Sequence, residues 1–569
     1  MIRSRLFIIL FFIAVSTQSA FSQASLVPVY HQVYDWLHYQ RVRGNAPLYN
    51  YETLPLTRGQ ITQLLADIDP NELNKGDRHV RHSYLREFSV DSLKKYKELS
   101  LVQGDKNIYE KLKIGLFSDE EPHIYVWGDD NINAALDLAD GVYGTWVSDG
   151  ESKYKSPGYY PLMFRSYGTI YNLIGFHYEQ YSIGKGDPQT FDYLPFYSRN
   201  AKFLRPGLNS DTKQHLENYI GLNYKLLHFY IGRGTLKSGV GSRNNLVFSR
   251  ESIPFDFIKL SLNSRYINFT TTYGALSWEP AITNAPLEGY EGEYTRTSPQ
   301  RWVVHQRIQF QPFSWLKFGF YETNVFSNRS MDLAFINPIN RLSIMEWEQY
   351  DKGNGFAGFE GILRPIKGLE LYGELQVDDL ARNSDLFRWT KKNGDYTTTK
   401  LARHLGLKYA SYFGTSLTVE YQRLDPGFYS HKYILNTYSE KGFSLGSQLG
   451  PNADELSIGI DQWLRNRTRI HLRYDYVRHG LNYFDQNGEF VDAGGDILDS
   501  YKLDDDLRPV RPGIFLDGDL HRYNRFTVES TYQPWRGITI EMQYSIRLML
   551  EGEQLFDLSV FTIGFKIGD

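Results

Sequence analysis

From about residue 123 to the end of the chain, polar and apolar residues alternate with a period of two. In the segment 469–476, ionisable residues occupy the odd positions and apolar or aromatic residues occupy the even ones. The segments 369–378, 416–422 and 538–548 repeat this arrangement. Because successive side chains of a strand point to opposite sides, each segment predicts a strand with one apolar and one polar face. A length of about ten residues suits a tilted strand that crosses a membrane.

The connections between these segments alternate between short and long. The short connections are Gln311–Ser314, Arg364–Lys367, Ser411–Gly414, Leu464–Asn466 and Gln533–Arg536. The long polar stretches between them are 327–354, 380–401, 425–453 and 478–521. A soluble β-sandwich shares the period of two but not this alternation, whereas outer-membrane barrels have short periplasmic turns and longer extracellular loops. We therefore predict an all-β fold, a transmembrane antiparallel β-barrel of about eighteen strands from near Asn131 to Ile567.

Three of the short connections carry a proline, at Pro312, Pro365 and Pro534. A proline just after a strand ends the ladder without leaving an unpaired donor, and its fixed φ suits a turn. We therefore expect each of these prolines to follow its strand and to open a hairpin turn.

The part of the chain before the alternating region has helical spacing. Tyr30, Val33, Tyr34 and Leu37 lie at i, i+3, i+4 and i+7, which predicts one face of a helix that Gly44 can stop. Further helical signals are a capping box at Thr57–Gln60 followed by the apolar stripe of 61–68, and the less regular segments Arg78–Phe88 and Asp91–Leu101. We predict a periplasmic helical appendage over residues 23–120, followed by the barrel over residues 121–569.

The N-terminus has the organisation of a signal peptide. Arg3 and Arg5 precede the apolar run Leu6–Val15, and Ala20 and Ser22 are the small residues that a signal peptidase reads. The run is too short to span the roughly 30 Å of a bilayer core as a helix, and no later apolar run is long enough. We expect residues 1–22 to be removed and the exported chain to be either soluble or membrane-inserted as strands.

Composition adds support without deciding the fold. Aromatic residues make up 15% of the 569 residues, with 43 Tyr, as aromatic girdles at two membrane interfaces would need. A soluble all-β protein with large aromatic cores fits the composition equally well. The net charge of -4 argues against a nucleic-acid surface. The absence of Cys excludes disulfides, a thiol nucleophile and Cys-ligated zinc.

The sequence offers little for catalysis. It contains neither a G-x-S-x-G elbow nor an H-E-x-x-H helix, and no helix follows its paired glycines at 232–234 and 239–241. A membrane phospholipase would need Ser and His on the outward wall, whereas His305 and His471 share polar faces with arginines. We expect a protein that is not an enzyme and that carries neither a cofactor nor a metal.

The polar faces of the strands supply candidates for the lining of the lumen. These are His305, Arg307, Glu370, Glu374, Arg469, His471, Arg473, Asp475 and Glu541. Both signs of charge are present, so the residues could satisfy one another across a filled interior or line a selective water-filled pore. The charges alone leave both interpretations open.

The long loops hold aromatic residues among charged and polar groups. The candidates for glycan binding are Trp347, Tyr350, Trp389, Tyr396, Tyr429, Tyr433, Tyr483 and Phe484. Aromatic faces beside carboxylates and arginines can stack on sugar rings while the polar groups bind hydroxyls. The same residues could instead pack the loops against one another or belong to the aromatic belt.

Four stretches together resemble the capsule-assembly Wzi family as it occurs in Bacteroidetes. They are Val33–Leu37, Leu54–Ile61, Phe335–Pro338 and Leu371–Asp379, in the order of that family along most of the mature chain. The resemblance implies an eighteen-stranded outer-membrane barrel with a helical bundle on its periplasmic side. It also implies a lectin that holds capsular polysaccharide on the cell surface. The binding residues of the family lie in variable loops, so none of them is transferred to this chain.

The leading functional hypothesis is therefore a non-enzymatic outer-membrane barrel that binds and anchors capsular polysaccharide or exopolysaccharide. The alternative is a diffusion or substrate-specific porin, which the charged lumen would suit. The expected partners are outer-membrane lipid, surface polysaccharide and the barrel-insertion machinery, and nucleic acid is not among them.

Overall fold

The fold is described from a computed structural model. It covers residues 23–88, 100–120, 123–129, 131–148, 153–159, 162–184, 205–206, 212–277, 300–348, 353–378, 400–499, 514–550 and 558–568. The expected signal peptide, residues 1–22, lies outside these ranges. So does nearly all of the predicted helix Asp91–Leu101.

Eighteen antiparallel strands of the described chain form a closed barrel, as the sequence predicted. They are β1 Ile132–Ser148, β2 Leu162–Ile170, β3 Ile174–Gly184, β4 Thr212–Tyr224, β5 Leu227–Gly234, β6 Phe255–Asn263, β7 Ile267–Leu276, β8 Arg301–Phe313, β9 Leu316–Ser327, β10 Asn354–Ile366, β11 Leu369–Val377, β12 Leu401–Ala410, β13 Thr415–Leu424, β14 Ala453–Trp463, β15 Arg469–Leu481, β16 Asp519–Trp535, β17 Ile538–Met549 and β18 Leu558–Ile567. The barrel closes where β18 pairs with β1, from Ser559 opposite Ser148 to Ile567 opposite Asp140.

The two faces of the wall follow the period of two. In β11 the residues Glu370, Glu374 and Gln376 are buried inside, while Leu371 and Leu375 face out. Large apolar side chains stay exposed on the outer face of eight strands between β9 and β18: Phe320, Phe359, Leu405, Ile460, Leu472, Phe526, Tyr544 and Ile563. A continuous apolar belt of this size is the surface that an outer-membrane barrel presents to lipid. Among the helices that the structure describes, none combines the length and the hydropathy that a bilayer crossing demands.

The three prolines lie inside their strands, and the expectation that they follow the strand and open the turn is wrong. The pairing register shifts by bulges between Phe310 and Phe313, between Leu363 and Ile366, and between Tyr532 and Trp535. The tight turns come two residues later, at 314–315, 367–368 and 536–537. A bulge leaves the proline nitrogen out of the ladder, so the strand can continue past it.

In the described part of the chain before the barrel there are four helices: α1 Val33–Val42, α2 Arg58–Asp67, α3 Lys75–Phe88 and α4 Ile108–Phe117. The helix predicted around Val33 to Leu37 is present, and Gly44 follows it with a φ of 87°. The capping box is also present, because Gln60 N donates to Thr57 Oγ1 over 3.0 Å and Thr57 N donates to Gln60 Oε1 over 2.9 Å. Two short helices, α5 Leu333–Ile336 and α6 Leu342–Glu348, lie in the loop after β9.

The helices α1 to α3 pack against the short-turn end of the barrel. Tyr39 Oη donates to Ser411 O over 2.8 Å, and Arg467 Nε donates to Ser83 Oγ over 2.8 Å. Beyond α1 the chain enters the bore, where Thr53–Leu54 pairs antiparallel with Lys237–Ser238 of the loop after β5. The N-terminal segment therefore extends into the barrel as well as covering its end.

Inward-facing tyrosines lie directly over glycines of the neighbouring strand. A Cβ at Gly358 would stand 2.1 Å from the ring of Tyr321, whereas a Cβ at Gly361 on the same strand would meet nothing within 4 Å. We predict that Gly358→Val lowers the free energy of unfolding by about 1–3 kcal/mol through overpacking. Gly361→Val is the matched control. Urea unfolding in vesicles checks this, and equal stability of the two variants would show that the close approach is unimportant.

Candidate functional site

Three pieces of the chain fill a large part of the bore, and we call them together the plug. They are residues 23–57, the loop 235–254 after β5 and the loop 425–452 after β13. The two loops hold each other, because Tyr429 Oη donates to Leu246 O over 2.6 Å and Tyr438 Oη donates to Val247 O over 2.8 Å. These tyrosines are fully buried and pack against inward-facing Phe356 of β10. The plug is thus joined to the wall by an apolar core.

Nearer the short turns, the plug is joined to the wall by buried charges around Glu52. Its carboxylate contacts Arg41 Nη1 at 2.5 Å and Lys317 Nζ at 2.8 Å. Burial would raise the pKa of Glu52, but Arg41 and Lys317 outweigh it and hold that pKa well below its usual range. Lys237 Nζ donates to Tyr51 O over 2.9 Å, and burial lowers the pKa of Lys237 to about 7.

Four of the predicted lumen residues face the bore and are occupied by contacts with the plug or with their wall neighbours. Glu370 contacts Arg41 Nη2 at 2.7 Å and His38 Nε2 at 2.8 Å. The contacts of the other three are as follows: His305 with Ser238 Oγ, Arg307 with Glu360 and Thr53, and Glu374 with Tyr321 Oη. These charges satisfy one another in a packed interior, as one of the two interpretations of the sequence proposed.

The other five predicted lumen residues line a cavity of about 280 Å³ between the plug and the strands β12 to β18. They are Arg469, His471, Arg473, Asp475 and Glu541. The lining also includes Trp463 of the wall and Tyr30 and Tyr51 of the plug. The nine predicted lumen residues thus form two groups: four are packed against the plug or their wall neighbours, and five surround the cavity.

Asp35 of α1 ties the plug to the wall at this cavity. Its carboxylate contacts Arg250 Nη1 at 2.6 Å and Arg469 Nη1 at 2.9 Å. Arg469 Nη2 also contacts Asp461 at 2.6 Å, and His471 Nδ1 contacts the same carboxylate at 2.9 Å. Burial would raise the pKa of Asp35, but Arg250 and Arg469 outweigh it and hold the pKa below its usual range.

Carboxylates outnumber cationic side chains in the lining of the cavity. The eight carboxylates belong to Asp35, Glu251, Glu420, Glu455, Asp461, Asp475, Glu529 and Glu541, and the five cations to Arg243, Arg250, Lys408, Arg469 and Arg473. All four of these arginines are paired with carboxylates, for example Arg473 Nε with Asp475 Oδ2 at 3.0 Å. The excess of negative charge favours cations and neutral hydroxylated ligands over anions in this space.

The aromatic candidates for glycan binding fall into different places. Tyr433, Tyr483 and Phe484 are exposed on the long loops, and Phe484 packs edge-on against Phe490 at 5.5 Å. Tyr429 is buried in the plug and its ring has no surface for a sugar, so its assignment to an exposed binding surface is corrected. Trp347 belongs to α6, and only its backbone position is described; Tyr350, Trp389 and Tyr396 lie outside the described residues.

The plug should loosen in acid because of His38. Burial is the main cause that lowers the pKa of His38 to about 4, below its unfolded value of about 6.5. A depressed folded pKa gives stability that is present above pH 6.5 and is lost as the pH falls towards 4. We predict that the protection factors of residues 33–57, which correct hydrogen exchange for the intrinsic rate at each pH, fall over this window and fall less in His38→Gln. Protection factors that stay unchanged between pH 6.5 and 4 would contradict this role of His38.

The sequence matches a family model, and the fold is similar to that of a solved outer-membrane barrel. The family model described as capsule assembly protein Wzi matches residues 158–536. Wzi of Escherichia coli, described as a carbohydrate-binding barrel of the outer membrane involved in group 1 capsule assembly, is 12% identical over 96% of this chain and 100% of its own, with a TM-score of 0.54. The fold likeness is lower for OccAB2 of Acinetobacter baumannii (11% identity, 77% and 99% coverage, TM-score 0.42) and for OprD of Pseudomonas aeruginosa (10%, 76% and 94%, 0.39). No curated protein matches the sequence.

Proposed function

Because this chain belongs to the capsule assembly Wzi family, we propose that it binds and anchors capsular polysaccharide or exopolysaccharide at the cell surface without catalysing a reaction. The family match carries the proposal, since it spans 158–536 and so includes most of the barrel. The E. coli relative of the same fold is described as carbohydrate-binding, which supports the same class of ligand.

The filled bore supports a holding function over a transport function. The plug joins the wall through the apolar core around Tyr429 and through the charges around Glu52, so much of the bore is used for packing. By the rule that short turns face the periplasm, α1 to α3 lie on the periplasmic side and the long loops face outward. Tyr433 and Phe484 are then exposed towards the surface polymer.

Binding of purified full-length chain to polysaccharide from the producing cell tests the proposal. We expect saturable binding, and Tyr433→Ala and Phe484→Ala should each weaken it about three- to tenfold if their rings stack on sugars. Phe413→Ala is the matched control, because Phe413 is an exposed aromatic residue at the opposite, short-turn end. Equal affinities in all three variants would show that Tyr433 and Phe484 do not belong to the binding site. If the full-length chain did not bind the polysaccharide at all, the proposed function would be wrong.

A second function is favoured by the cavity beside the plug. Its charged lining would suit a porin for cations or small neutral solutes, if the space continues through the barrel. Planar-bilayer recordings of the full chain separate the two functions. A stable, cation-selective current would favour the porin, and a silent bilayer would favour the anchor.

A further inference from the structure

Part of the outer wall of the barrel is covered by protein. On β8 the odd positions face the bore, as the contact of His305 with Ser238 shows, so the even positions face out. Their cross-strand partners Tyr273 of β7 and Phe326 of β9 therefore face out as well. These two rings are only 7% and 1% exposed, whereas outward-facing Phe320, further along β9, is 51% exposed. Something other than lipid therefore covers this patch.

The covering element is the segment 328–348 of the loop after β9, which we call the outer collar. Phe335 of α5 stacks on Phe326 with ring centroids 4.8 Å apart. Trp302 Nε1 donates to Arg329 O over 2.9 Å, and Gln306 Nε2 donates to Asn337 O over 3.3 Å. The collar thus folds back from the loop onto the outside of β7 to β9.

The collar also satisfies a carboxylate on the outer wall. Glu322 pairs with Gln306 across the strands and so faces out, where a bare charge in lipid would destabilise the barrel. Arg341 Nη2 donates to Glu322 Oε1 over 2.9 Å, and Ser343 Oγ donates to the same oxygen over 3.0 Å. On β10, a Cβ at Gly355 would stand 2.1 Å from Glu346 Oε2, so glycine permits the close approach of α6. Glu322 and Gly355 of the wall thus provide a hydrogen-bonding partner and the space that the packing of the collar requires.

The surface that the collar turns away from the wall is apolar. Leu333 is 80% exposed and Ile339 is 88% exposed, and Met331 and Ile344 are exposed beside them. Glu322, which the collar holds, lies two residues along β9 from Phe320 of the lipid-facing belt. The collar therefore borders the belt, on the side of the long loops.

We infer that the outer collar is embedded in the lipid leaflet at the long-loop end, with Leu333 and Ile339 among the acyl chains. The position of the collar beside the belt identifies lipid as the partner, because exposed apolar residues next to acyl chains gain free energy by entering them. Arg341 keeps most of its side chain exposed and lies where the polar headgroups begin. This inference depends on the membrane position of the barrel and not on glycan binding, so either can fail alone.

Spin labelling in vesicles tests the inference directly, because the chain contains no Cys. Single labels are placed through Ile339→Cys and Leu333→Cys on the collar. Phe320→Cys serves as the belt reference and Asn487→Cys, on an exposed hairpin of the loop after β15, as the water reference. Each labelled chain is first checked for the heat-dependent gel mobility of a folded barrel.

We expect the collar labels to collide with lipid-soluble oxygen as often as the label at position 320 does. Their collisions with a water-soluble nickel complex should be several-fold fewer than at position 487. Nickel collisions as frequent as at position 487 would overturn the inference. So would spin–spin broadening at position 339 that disappears when unlabelled chain is added, because a second copy of the chain would then cover the collar.

Discussion

The variant Glu52→Gln should lose about 3–5 kcal/mol of unfolding free energy, the largest effect that we expect from one side chain. Glu52 is fully buried between Arg41 and Lys317, and its backbone carbonyl accepts from Arg307. Removing its charge leaves buried Lys317 without its carboxylate and Arg41 with Glu370 alone, and a buried unpaired charge is costlier than a lost pair. Urea unfolding of the chain in vesicles, followed by tryptophan fluorescence, measures the change.

Two further variants show whether the effect comes from the unpaired charge. Adding Lys317→Met to Glu52→Gln removes the cation that has lost its carboxylate and should restore part of the lost stability. Glu489→Gln on an exposed hairpin should change stability by no more than about 0.5 kcal/mol. If Glu52→Gln were as mild as Glu489→Gln, the charges around Glu52 would not be what holds the plug.

The second large effect is expected on ion flow. Deleting residues 24–57 removes α1, the strand Thr53–Leu54 and the partners of Lys317 and Arg307. The two loops of the plug remain, but an eighteen-stranded barrel has room for an aqueous channel beside them, so conductance across a planar bilayer should rise by an order of magnitude or more.

The full-length variant Glu52→Gln/Glu370→Gln provides a second path to the same result. It keeps the chain intact but removes both carboxylates that hold Arg41, so it should show more frequent brief openings than the natural chain. Heat-dependent gel mobility establishes that each variant is folded before it is recorded. A folded, truncated barrel that conducts no better than the natural chain would show that the segment does not obstruct the bore.

The wall could be predicted from the sequence because one physical rule acts on every strand. Lipid outside and a polar interior place Leu472 and Arg473 on opposite faces, and the same alternation repeats around the barrel. The start of α2 could also be predicted, because Thr57 and Gln60 form their capping box within one turn of chain. Both features depend only on neighbouring residues or on the bilayer.

The sequence could not predict which polar residues of the wall are packed against the plug and which of them line the cavity. Glu370 and Arg469 both occupy polar positions of regular strands, yet Glu370 is packed against Arg41 while Arg469 lines the cavity. The difference depends on where residues some 330 positions away enter the bore, which no local pattern records. Tyr429 shows the same limit, since an aromatic residue in a polar loop has the same local sequence whether the loop turns inward or outward.

The bulges and the outer collar escaped prediction for related reasons. The sequence predicts Pro365 in the turn because a proline cannot donate to a ladder, but a bulge accommodates it within the strand. The run Phe335–Pro338 resembles the family, but nothing in its local sequence indicates that Phe335 covers Phe326 on the outside of the wall. Its packing is visible only once the register of β8 and β9 is known.

The most direct test of the central claim is to measure cell-bound and released polysaccharide in a strain that lacks this gene. The account predicts that polymer is still made but moves from the cell surface into the medium, and that restoring the full gene returns it. Cell-bound polysaccharide at the natural level in the deletion strain would contradict the anchoring function, whatever the structure of the bore.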